Sequence, residues 1–521
     1  MPERIAATVA CVLPVAMLAA WLLKMLTRSE KAQDDLPPAL PECPLRVISP
    51  FFRRRFDFLR RGFELSGEPI FRFKLLRSTV VAVSGAPGRR DFFTSRNLDL
   101  GAGFRALSGT IPMLPGVTSD LDPTKVATIY RRLASVQNTA NLERLIPRIL
   151  EDIRHVAETW GTSGTFSPFD EIPKVTFQTN LRCLAPSELA DDPALADRLR
   201  TLYNVLDTST TPASVLLPWF PGPSAVRKVL STKRIHDIIS AAVDARIKGH
   251  VLPQDDALQP MLDSGDDRAV IIGASAASPL HFIMGLLVAG SRSTGTTASW
   301  LVTFLAGHPA WQAKARSEIE LLLSSCSTPG EAAYPRDTNA PTAPSRSLAQ
   351  LASALASIPL TAWESHTPVL DAVIRETLRL AQPHTALRQN TSSAPVHIAG
   401  KAVPPGAFAV YPFADGHLSA ELFPEPWRFD PGRAQSKLPF AWVGWGAGAN
   451  ACLGQRLARL ELKLVAAVLL LGFELAVVGE GGRVLGGAEV PRPDWNDALH
   501  CRPAAECSLR YRRVAGWPQE R

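Results

Sequence analysis

The sequence predicts a mainly α protein with a small β region, preceded by one transmembrane helix. Three patterns lead to this fold class. Long stretches carry apolar residues at helical intervals, the longest running from Pro279 to Ala306. Residues 71–76 and 79–83 alternate or are β-branched, which predicts a hairpin. Residues Ile5 to Leu23 carry no charge and are long enough to cross a hydrocarbon core.

The apolar N-terminal segment favours a retained anchor over a cleaved signal peptide. It exceeds the usual apolar h-region of a signal peptide and is followed by Lys24, Arg28 and Lys31 rather than a polar cleavage zone. The excess of cations after the segment keeps the body of the chain cytosolic. We therefore expect an anchor over residues 1–28, a stiff Pro-rich hinge over 29–50 and one large domain over 51–521, since no linker or repeat divides the body.

Periodicity predicts further helices in the body of the chain. They are expected at Asp122–Trp160, Ala190–Thr208, Val226–Lys248 and Pro309–Ser324. Residues 51–61 mix aromatic residues and cations, which fits either lipid headgroups or a solvated helix face.

Composition excludes several classes of protein. The seven cysteines are scattered and odd in number, so no disulfide framework is expected. The net charge of +7 is spread along the chain, and no segment reads as a nucleic-acid binding module.

Cys452 lies in the glycine-rich segment 445–454, directly before an amphipathic helix. Glycines let the backbone fold tightly under a flat ligand, and a helix N-terminus stabilises a thiolate. One thiolate cannot make a structural zinc site, and no Cys-x-x-Cys pair lies nearby. Haem iron needs only one such axial ligand. The alternative is a glycine-rich turn with an inert cysteine.

This segment resembles the haem-binding loop of the cytochromes P450. The pattern of that family is Phe, Gly, any, Gly, any, Arg or His, any, Cys, any, Gly. Here Trp445 replaces the aromatic residue, and Gly446 and Gly454 occupy glycine positions. Asn450 replaces the cation that pairs with a haem propionate. The resemblance implies the cytochrome P450 fold and haem b with Cys452 as its iron ligand.

Another arginine must then supply the missing charge. In the family, the segment corresponding to residues 383–388 lines the pocket and carries an arginine that reaches a propionate, so Arg388 is the leading candidate. Arg131 and Arg132 are further candidates, between which the sequence does not decide. His384 has no second ligand at metal spacing and is read as a packing or polar loop residue.

Glu376 and Arg379 are three residues apart in a predicted helix and share one face. Such a pair is common on surfaces, and it gains meaning here from its order along the chain. The family places Glu-x-x-Arg before a Pro-rich meander with a second arginine, which here is Arg433. The resemblance implies a buried structural triad of Glu376, Arg379 and Arg433 that holds the meander beneath the cysteine loop.

The helix from Pro279 to Ala306 carries the oxygen-binding face by resemblance. Gly290, near its centre, marks the close approach of something flat or a widened turn. Where the family has an acid followed by an alcohol, this chain has Arg292 and Ser293, with Thr294 next. These three are the candidate catalytic residues. The altered pair also resembles the branch that contains bile-acid hydroxylases and prostacyclin synthase.

Arg292 leaves several interpretations open. An arginine cannot donate the proton that the family's acid relays, whereas Ser293 with ordered water can. Arg292 would then bind a substrate carboxylate or lie on a solvated or haem-edge face. Alternatively, the enzyme rearranges an oxygenated substrate without activating dioxygen.

The resemblance predicts a membrane-bound haem-thiolate monooxygenase of the endoplasmic reticulum, with its catalytic domain facing the cytosol. Electrons come from NADPH through a flavin reductase, for which Arg456, Arg459 and Lys463 would form a basic docking face. The apolar stretch 281–289 predicts an apolar small-molecule substrate, and the sequence resembles fungal members that make terpenoid, polyketide or steroid-like secondary metabolites. The alternatives are a haem-thiolate isomerase or dehydratase and, more remotely, a non-catalytic haem-binding membrane protein.

Overall fold

The structure is a computed structural model. It describes residues 35–103, 133–134, 136–217, 220, 222–263, 279–326 and 347–514, without the side chains of 261 and 279–282. The predicted anchor and the candidates Arg131 and Arg132 lie outside these residues. Within the described ranges, no helix combines the length and apolar character needed to cross a bilayer.

Helices dominate the described chain, as predicted. Their bounds are α1 Ile48–Arg53, α2 Arg55–Ser66, α3 Gly85–Thr94, α4 Thr139–Glu158, α5 Pro168–Leu184, α6 Ser187–Asp191, α7 Pro193–Thr208, α8 Pro212–Leu216, α9 Pro223–Ile247, α10 Gln259–Asp263, α11 Pro279–Gly307, α12 Pro309–Cys326, α13 Leu348–Ala356, α14 Leu360–Ser365, α15 Pro368–Leu380, α16 Ala414–His417 and α17 Gln455–Gly472.

Short strands form the small β region. They are β1 Ile70–Leu75, β2 Ser78–Val83, β3 Leu98–Asp99, β4 Ser163–Phe166, β5 Thr385–Asn390, β6 Val396–Ile398, β7 Lys401–Val403, β8 Phe408–Pro412, β9 Phe473–Val478, β10 Val484–Leu485 and β11 Ser508–Arg513. One sheet has the order β1-β2-β8-β5-β3, a second has the order β10-β9-β11-β4, and β6 pairs with β7. The mainly α prediction with a small β region is confirmed.

The described chain divides into two compact units. The first comprises described residues of 1–109, 211–220 and 384–415. Its sheet begins with the predicted hairpin, in which β1 and β2 pair from Ile70 opposite Val83 to Leu75 opposite Ser78. Chain from the predicted hinge joins this sheet, since the Leu40 N–H donates to the Arg72 carbonyl at 2.8 Å.

The aromatic residues of segment 51–61 belong to the core of the first unit. Phe51 and Phe58 are buried and pack edge-on to each other and against Phe73. The cations Arg54 and Arg60 of the same segment are exposed. Residues 51–61 therefore belong to two amphipathic helices, which bury part of their aromatic surface in the core and expose cations on the other side.

The second unit comprises the remaining described residues and contains the larger core. Helix α11 runs through it, packed against α5 along one side. Trp300 of α11 is fully buried, and its indole N–H donates to the Cys501 carbonyl at 2.7 Å. The long apolar helix predicted over 279–306 thus forms, and it is buried because a helix with apolar residues on most faces needs neighbours on most faces.

The helix predicted over Ala190–Thr208 is instead two helices. Asp192 ends α6, and its carboxylate accepts the N–H groups of Ala194 and Leu195 at the start of α7. Pro193 then occupies the first turn of α7. Since proline lacks the N–H that would continue α6, and an aspartate cap satisfies the new helix start, the break is local in origin.

The helix predicted over Asp122–Trp160 is also interrupted in its described part. Asn138 lies in an extended conformation and caps α4 by accepting the Asn141 N–H at 2.8 Å. Gln137, directly before this cap, is buried outside regular helix. The periodic pattern continues across the break, so periodicity alone did not reveal it.

Glu461 of α17 is a buried carboxyl group within the second unit, 1% exposed. Burial raises the pKa of Glu461 to about 8, which a hydrogen bond with Thr179 only partly opposes. The folded protein therefore holds the proton more tightly than the unfolded chain, whose carboxyl has a pKa near 4.5. The resulting stability is complete below that value and is lost as the pH rises toward 8.

We expect Glu461→Gln to remove this dependence. The free energy of unfolding of the variant should exceed that of the parent by about 3 kcal/mol at pH 7, because each pKa unit corresponds to about 1.4 kcal/mol. Urea unfolding of both proteins at pH 5, 6, 7 and 8 measures the difference. The exposed Glu480 provides the control Glu480→Gln, which should follow the parent. A constant difference between parent and Glu461→Gln across this range would contradict the prediction.

Candidate functional site

The cysteine loop is closed by backbone hydrogen bonds. The Cys452 N–H donates to the Trp445 carbonyl at 2.7 Å, and the Gly446 N–H donates to the Val443 carbonyl at 2.8 Å. Gly446 has a φ of 70°, and a Cβ placed on it would lie 2.9 Å from the Asn450 carbonyl oxygen. Only glycine fits this position without strain, so the loop needs the residue that the sequence supplies.

Gly454 has a different role from Gly446. It is the N-cap residue of α17 with a φ of −88°, and a Cβ placed on it would meet nothing within 4 Å. The Gly454 N–H instead hydrogen-bonds the Cys452 sulfur, which favours the thiolate. Trp445 is half-buried and packs against the core of the second unit.

The Cys452 side chain is exposed, whereas the described cysteines Cys183, Cys501 and Cys507 are buried. The surrounding protein still desolvates the thiol and raises its pKa above the ordinary value, and the Gly454 N–H opposes this only in part. The helix terminus by itself therefore does not produce a thiolate here. Coordination of a metal ion deprotonates a thiol outright, so ligation would supply the charge.

Gln137 supports the start of α17, a role that sequence reasoning missed. Its amide donates to the Leu453 carbonyl at 2.7 Å and accepts the Leu457 N–H at 3.2 Å. Arg456 donates to the Gln137 carbonyl at 2.7 Å. The loop that carries Cys452 is thus held from both sides of its helix junction. The only local signal was a polar residue within an apolar periodic stretch.

Glu376, Arg379 and Arg433 come together in the second unit. Arg379 binds the Glu376 carboxylate through two parallel contacts of 2.8 Å, and Arg433 Nε donates to Glu376 Oε1 at 2.9 Å. The Glu376 and Arg379 side chains are 4% and 1% exposed. A bidentate clamp of this kind satisfies both carboxylate oxygens, which a buried carboxylate requires.

The same two arginines hold the meander. Arg379 Nη1 donates to the carbonyls of His417 and Pro426 at 2.7 and 2.6 Å. Arg433 Nη2 donates to the Arg428 carbonyl at 2.7 Å. His417, which sequence reasoning missed, also accepts the Val443 N–H at 3.0 Å through Nε2. The hydrogen bonds therefore continue from the triad to the segment that leads into the cysteine loop.

The three candidate catalytic residues of α11 do not share one face. Successive helical residues are about 100° apart, so they point in different directions. Ser293 is exposed one turn after the exposed Ala289, and its hydroxyl donates to the Ala289 carbonyl at 2.8 Å. Thr294 is buried. Of the three, Ser293 has a hydroxyl that an external molecule can reach.

Arg292 is paired with a carboxylate of α7. Its Nη1 lies 3.3 Å from Asp207 Oδ1, and its side chain is 29% exposed. Both residues line a cavity of about 290 Å³ together with His500. Burial lowers the pKa of His500, although the nearby carboxylates of Asp497 and Asp207 act to raise it. The Arg292 charge is thus balanced within the protein.

Gly290 accommodates a close approach by Asn180 of α5. A Cβ placed on Gly290 would lie 2.5 Å from Asn180 Oδ1. Asn180 is buried, and its amide donates to the Thr176 carbonyl at 2.8 Å. The helix is regular α-helix at this point, so the expectation of a widened turn was wrong, and the approach of a flat ligand stays a prediction.

Arg388 belongs to the first unit, on β5. It is 1% exposed, its Nη1 donates to the Phe92 carbonyl, and its guanidinium lies 4.5 Å from the centre of the Phe92 ring. No carboxylate among the described residues lies within ion-pair distance, and Arg388 Nε has no hydrogen-bond partner there. Burial lowers the pKa of Arg388 to about 10. Burying such a cation costs free energy of desolvation unless an anion pairs with it.

These observations fit a haem group. An exposed thiol in a glycine-built loop suits an axial iron ligand, and a buried arginine without a carboxylate suits a propionate. Cys452 belongs to the second unit and Arg388 to the first, and each residue fits its role on its own surroundings.

The basic face predicted from Arg456, Arg459 and Lys463 is largely neutralised. Arg456 pairs with Glu364 at 2.6 Å, and Arg459 and Lys463 pair with Asp371 at 2.7 and 2.8 Å. Lys463 is buried and donates to the Trp363 carbonyl. The prediction that all three cations belong to one basic docking face was wrong for Lys463, because helical spacing does not report how deep each residue lies.

A family profile described as Cytochrome P450 matches residues 38–333 and 362–484. The chain belongs to the cytochrome P450 family. The described fold agrees with this, since the solved structure of retinoic acid bound cyanobacterial CYP120A1 superposes with a TM-score of 0.68, covering 92% of this chain and 99% of that one at 21% identity.

Curated relatives include cytochrome P450 monooxygenases. The cytochrome P450 monooxygenase dmxR5 of Cryptosporiopsis sp. (strain 8999) is 29% identical over 83% of this chain and 81% of its own length. The cytochrome P450 monooxygenase AacuE of Aspergillus aculeatus is 28% identical over 83% and 84%. Lanosterol 14-alpha demethylase of Bos taurus is 26% identical over 88% of both chains. This cytochrome P450 is accordingly an oxygenase enzyme, and membership of the family implies haem.

Proposed function

We propose that this cytochrome P450 is a membrane-bound monooxygenase that oxidises an apolar small molecule in fungal secondary metabolism, of terpenoid, polyketide or steroid-like structure. The exposed Cys452 thiol, held in a loop whose turn at Gly446 requires glycine, is the observation that carries the proposal. Support for a fungal biosynthetic role comes from the monooxygenases of Cryptosporiopsis and Aspergillus, and support for an apolar substrate from the lanosterol demethylases.

In this proposal Cys452 holds the iron of haem b, and Arg388 pairs with a propionate in place of the cation lost at Asn450. When bound, the haem supplies reductive activation of dioxygen, with the thiolate donating electron density. The triad of Glu376, Arg379 and Arg433 is a scaffold, since its polar atoms form hydrogen bonds with each other and with the meander. Trp445, Gly446 and Gly454 shape the loop under the ligand.

Ser293 is proposed to move protons. Its hydroxyl proton points to the Ala289 carbonyl, which leaves its oxygen free to accept from ordered water on the exposed side of α11. Thr294 supports this stretch of the helix from the buried side. Arg292 contributes no proton, because a guanidinium stays charged at any working pH.

The cellular setting is also part of the proposal. Residues 1–28 anchor the chain in the endoplasmic reticulum membrane, residues 29–50 form the hinge, and the catalytic domain over 51–521 faces the cytosol. Electrons come from NADPH through a flavin reductase. The lanosterol demethylase relatives support an apolar, membrane-dissolved substrate.

A haem-thiolate isomerase or dehydratase is the second candidate function. It is motivated by Arg292, which stands where the family has an acid. The ion pair between Arg292 and Asp207 gives that arginine a partner inside the protein, which counts against a substrate carboxylate as its partner.

Turnover with reductase and NADPH separates the two functions. We expect oxidised product from at least one apolar probe among lanosterol, farnesol and progesterone, with NADPH consumed in proportion. Ser293→Ala should lower product per NADPH by about tenfold or more and release peroxide, because general acid catalysis contributes roughly 10²-fold or more. Ser291→Ala is the matched control, since Ser291 bonds the Leu287 carbonyl on another side of α11. Product formed without NADPH would establish the isomerase instead.

A further inference from the structure

We propose a second small-molecule site in this protein, specific for aromatic hydroxyl compounds with two or more fused rings. It is a cavity of about 550 Å³ in the second unit, between the end of α11, the meander and residues 487–493. Binding pockets for small molecules are typically about 300–1,000 Å³ and largely apolar. The cavity contains none of the residues assigned above to haem or catalysis.

Aromatic side chains form its walls. Phe304 and Phe429 stack at 4.6 Å between ring centres with an angle of 20°, and His308 lies 4.7 Å from Phe429. Trp427, half-buried in the meander, lines another side. Flat rings in a ligand match such walls, because aromatic pairs gain energy beyond their buried area.

His308 contributes a hydrogen-bond acceptor to the lining of this cavity. His308 Nδ1 lies 2.8 Å from the Phe304 carbonyl, which can only accept, so the proton resides on Nδ1. The lone pair of Nε2 is then left for another donor. Burial lowers the pKa of His308, which keeps the ring in this neutral form. A hydroxyl group on the ligand is the donor that fits.

Arg492 is a cation that also lines the cavity. Arg492 is exposed and its guanidinium lies 5.3 Å from the centre of the Trp427 ring. Arg428, in contrast, pairs with Glu425 and Asp430. Among the described residues no carboxylate pairs with Arg492, so its charge is available to an electron-rich ring or an acidic hydroxyl. These features select a phenol over an aliphatic alcohol.

The site is separate from the proposed reaction centre. Ser293 and Phe304, the lining residue of α11 nearest to it in sequence, lie on one helix, about 17 Å apart at 1.5 Å per residue. A ligand in the cavity therefore does not touch Ser293, and the inference does not depend on the proposed function.

Equilibrium dialysis of the haem-loaded protein with 2-naphthol tests the site. We expect saturable binding, and affinity for 2-methoxynaphthalene about fivefold weaker, because the methyl ether cannot donate and one hydrogen bond contributes about 1 kcal/mol. His308→Phe keeps the ring but removes the acceptor, so it should reduce the 2-naphthol affinity to that of the ether. Equal affinities of the parent for the two compounds would overturn the proposal.

Ala488→Trp provides a second, independent test. Ala488 is exposed and lines the cavity, so a bulky side chain there should abolish 2-naphthol binding without disturbing the core. Ala505→Trp is the matched control on an exposed alanine outside the cavity. The haem Soret band, recorded in parallel, separates this site from binding next to the haem. Binding of 2-naphthol that neither Ala488→Trp nor His308→Phe weakens would also overturn the proposal.

Discussion

Replacing Cys452 with alanine is expected to abolish haem binding and monooxygenase activity while leaving the protein folded. The residue is exposed, so loss of its side chain costs little stability. The iron would lose its only protein thiolate, and with it the electron donation that distinguishes this class of haem site.

Haem content and the spectrum of the ferrous carbon monoxide complex measure this effect. The parent should show the Soret position typical of thiolate ligation, and Cys452→Ala should show none. Circular dichroism at the wavelengths of helix absorption checks that the fold persists. Cys43 is another exposed cysteine, and Cys43→Ala should retain both haem and spectrum. Pigment with an unchanged Soret band in Cys452→Ala would refute the assignment of the iron ligand.

Glu376→Gln is expected to destabilise the protein by about 3–5 kcal/mol. The glutamine keeps the shape of the side chain but removes the charge that two arginines share, which leaves Arg379 buried without a counter-charge. Breaking a buried ion pair from one side has this typical cost. Because Arg379 and Arg433 also bind the meander, haem retention should fall with stability.

Urea unfolding of parent and variant, followed by circular dichroism and haem absorbance, measures both effects. Glu425→Gln is the control, since Glu425 pairs with Arg428 on the surface, where both side chains are more than half exposed. That control should unfold like the parent, because solvent screens exposed pairs. A stability of Glu376→Gln within experimental error of the parent would show that the triad does not hold the meander.

Local patterns predicted much of the site. The i, i+3 spacing of Glu376 and Arg379 was enough to place them on one helix face, and the structure joins them through two hydrogen bonds. The glycines around Cys452 predicted a tight loop, and Gly446 has the positive φ that such a loop needs. These features depend on neighbours in sequence, which is why the chain alone revealed them.

Features that depend on distant partners were not predictable in this way. Arg459 and Lys463 are four residues apart in the sequence, which predicts one shared helix face. Lys463 is nevertheless buried, and it contacts Asp371 and the Trp363 carbonyl. Gln137 supports the cysteine loop although more than 300 positions separate it from Leu453. The space beside Gly290 is needed by Asn180, which lies more than 100 positions earlier in the chain.

By itself the sequence determined the helical fold class, the hairpin, the glycine-built loop around Cys452 and the pairing of Glu376 with Arg379, because these follow from backbone geometry and short-range spacing. Only the tertiary structure decided which charges are balanced, as Arg292 is by Asp207 and as Arg388 is not by any described carboxylate. The physical reason is that desolvation and pairing depend on what packs around a group, and packing brings together residues that the linear order keeps far apart.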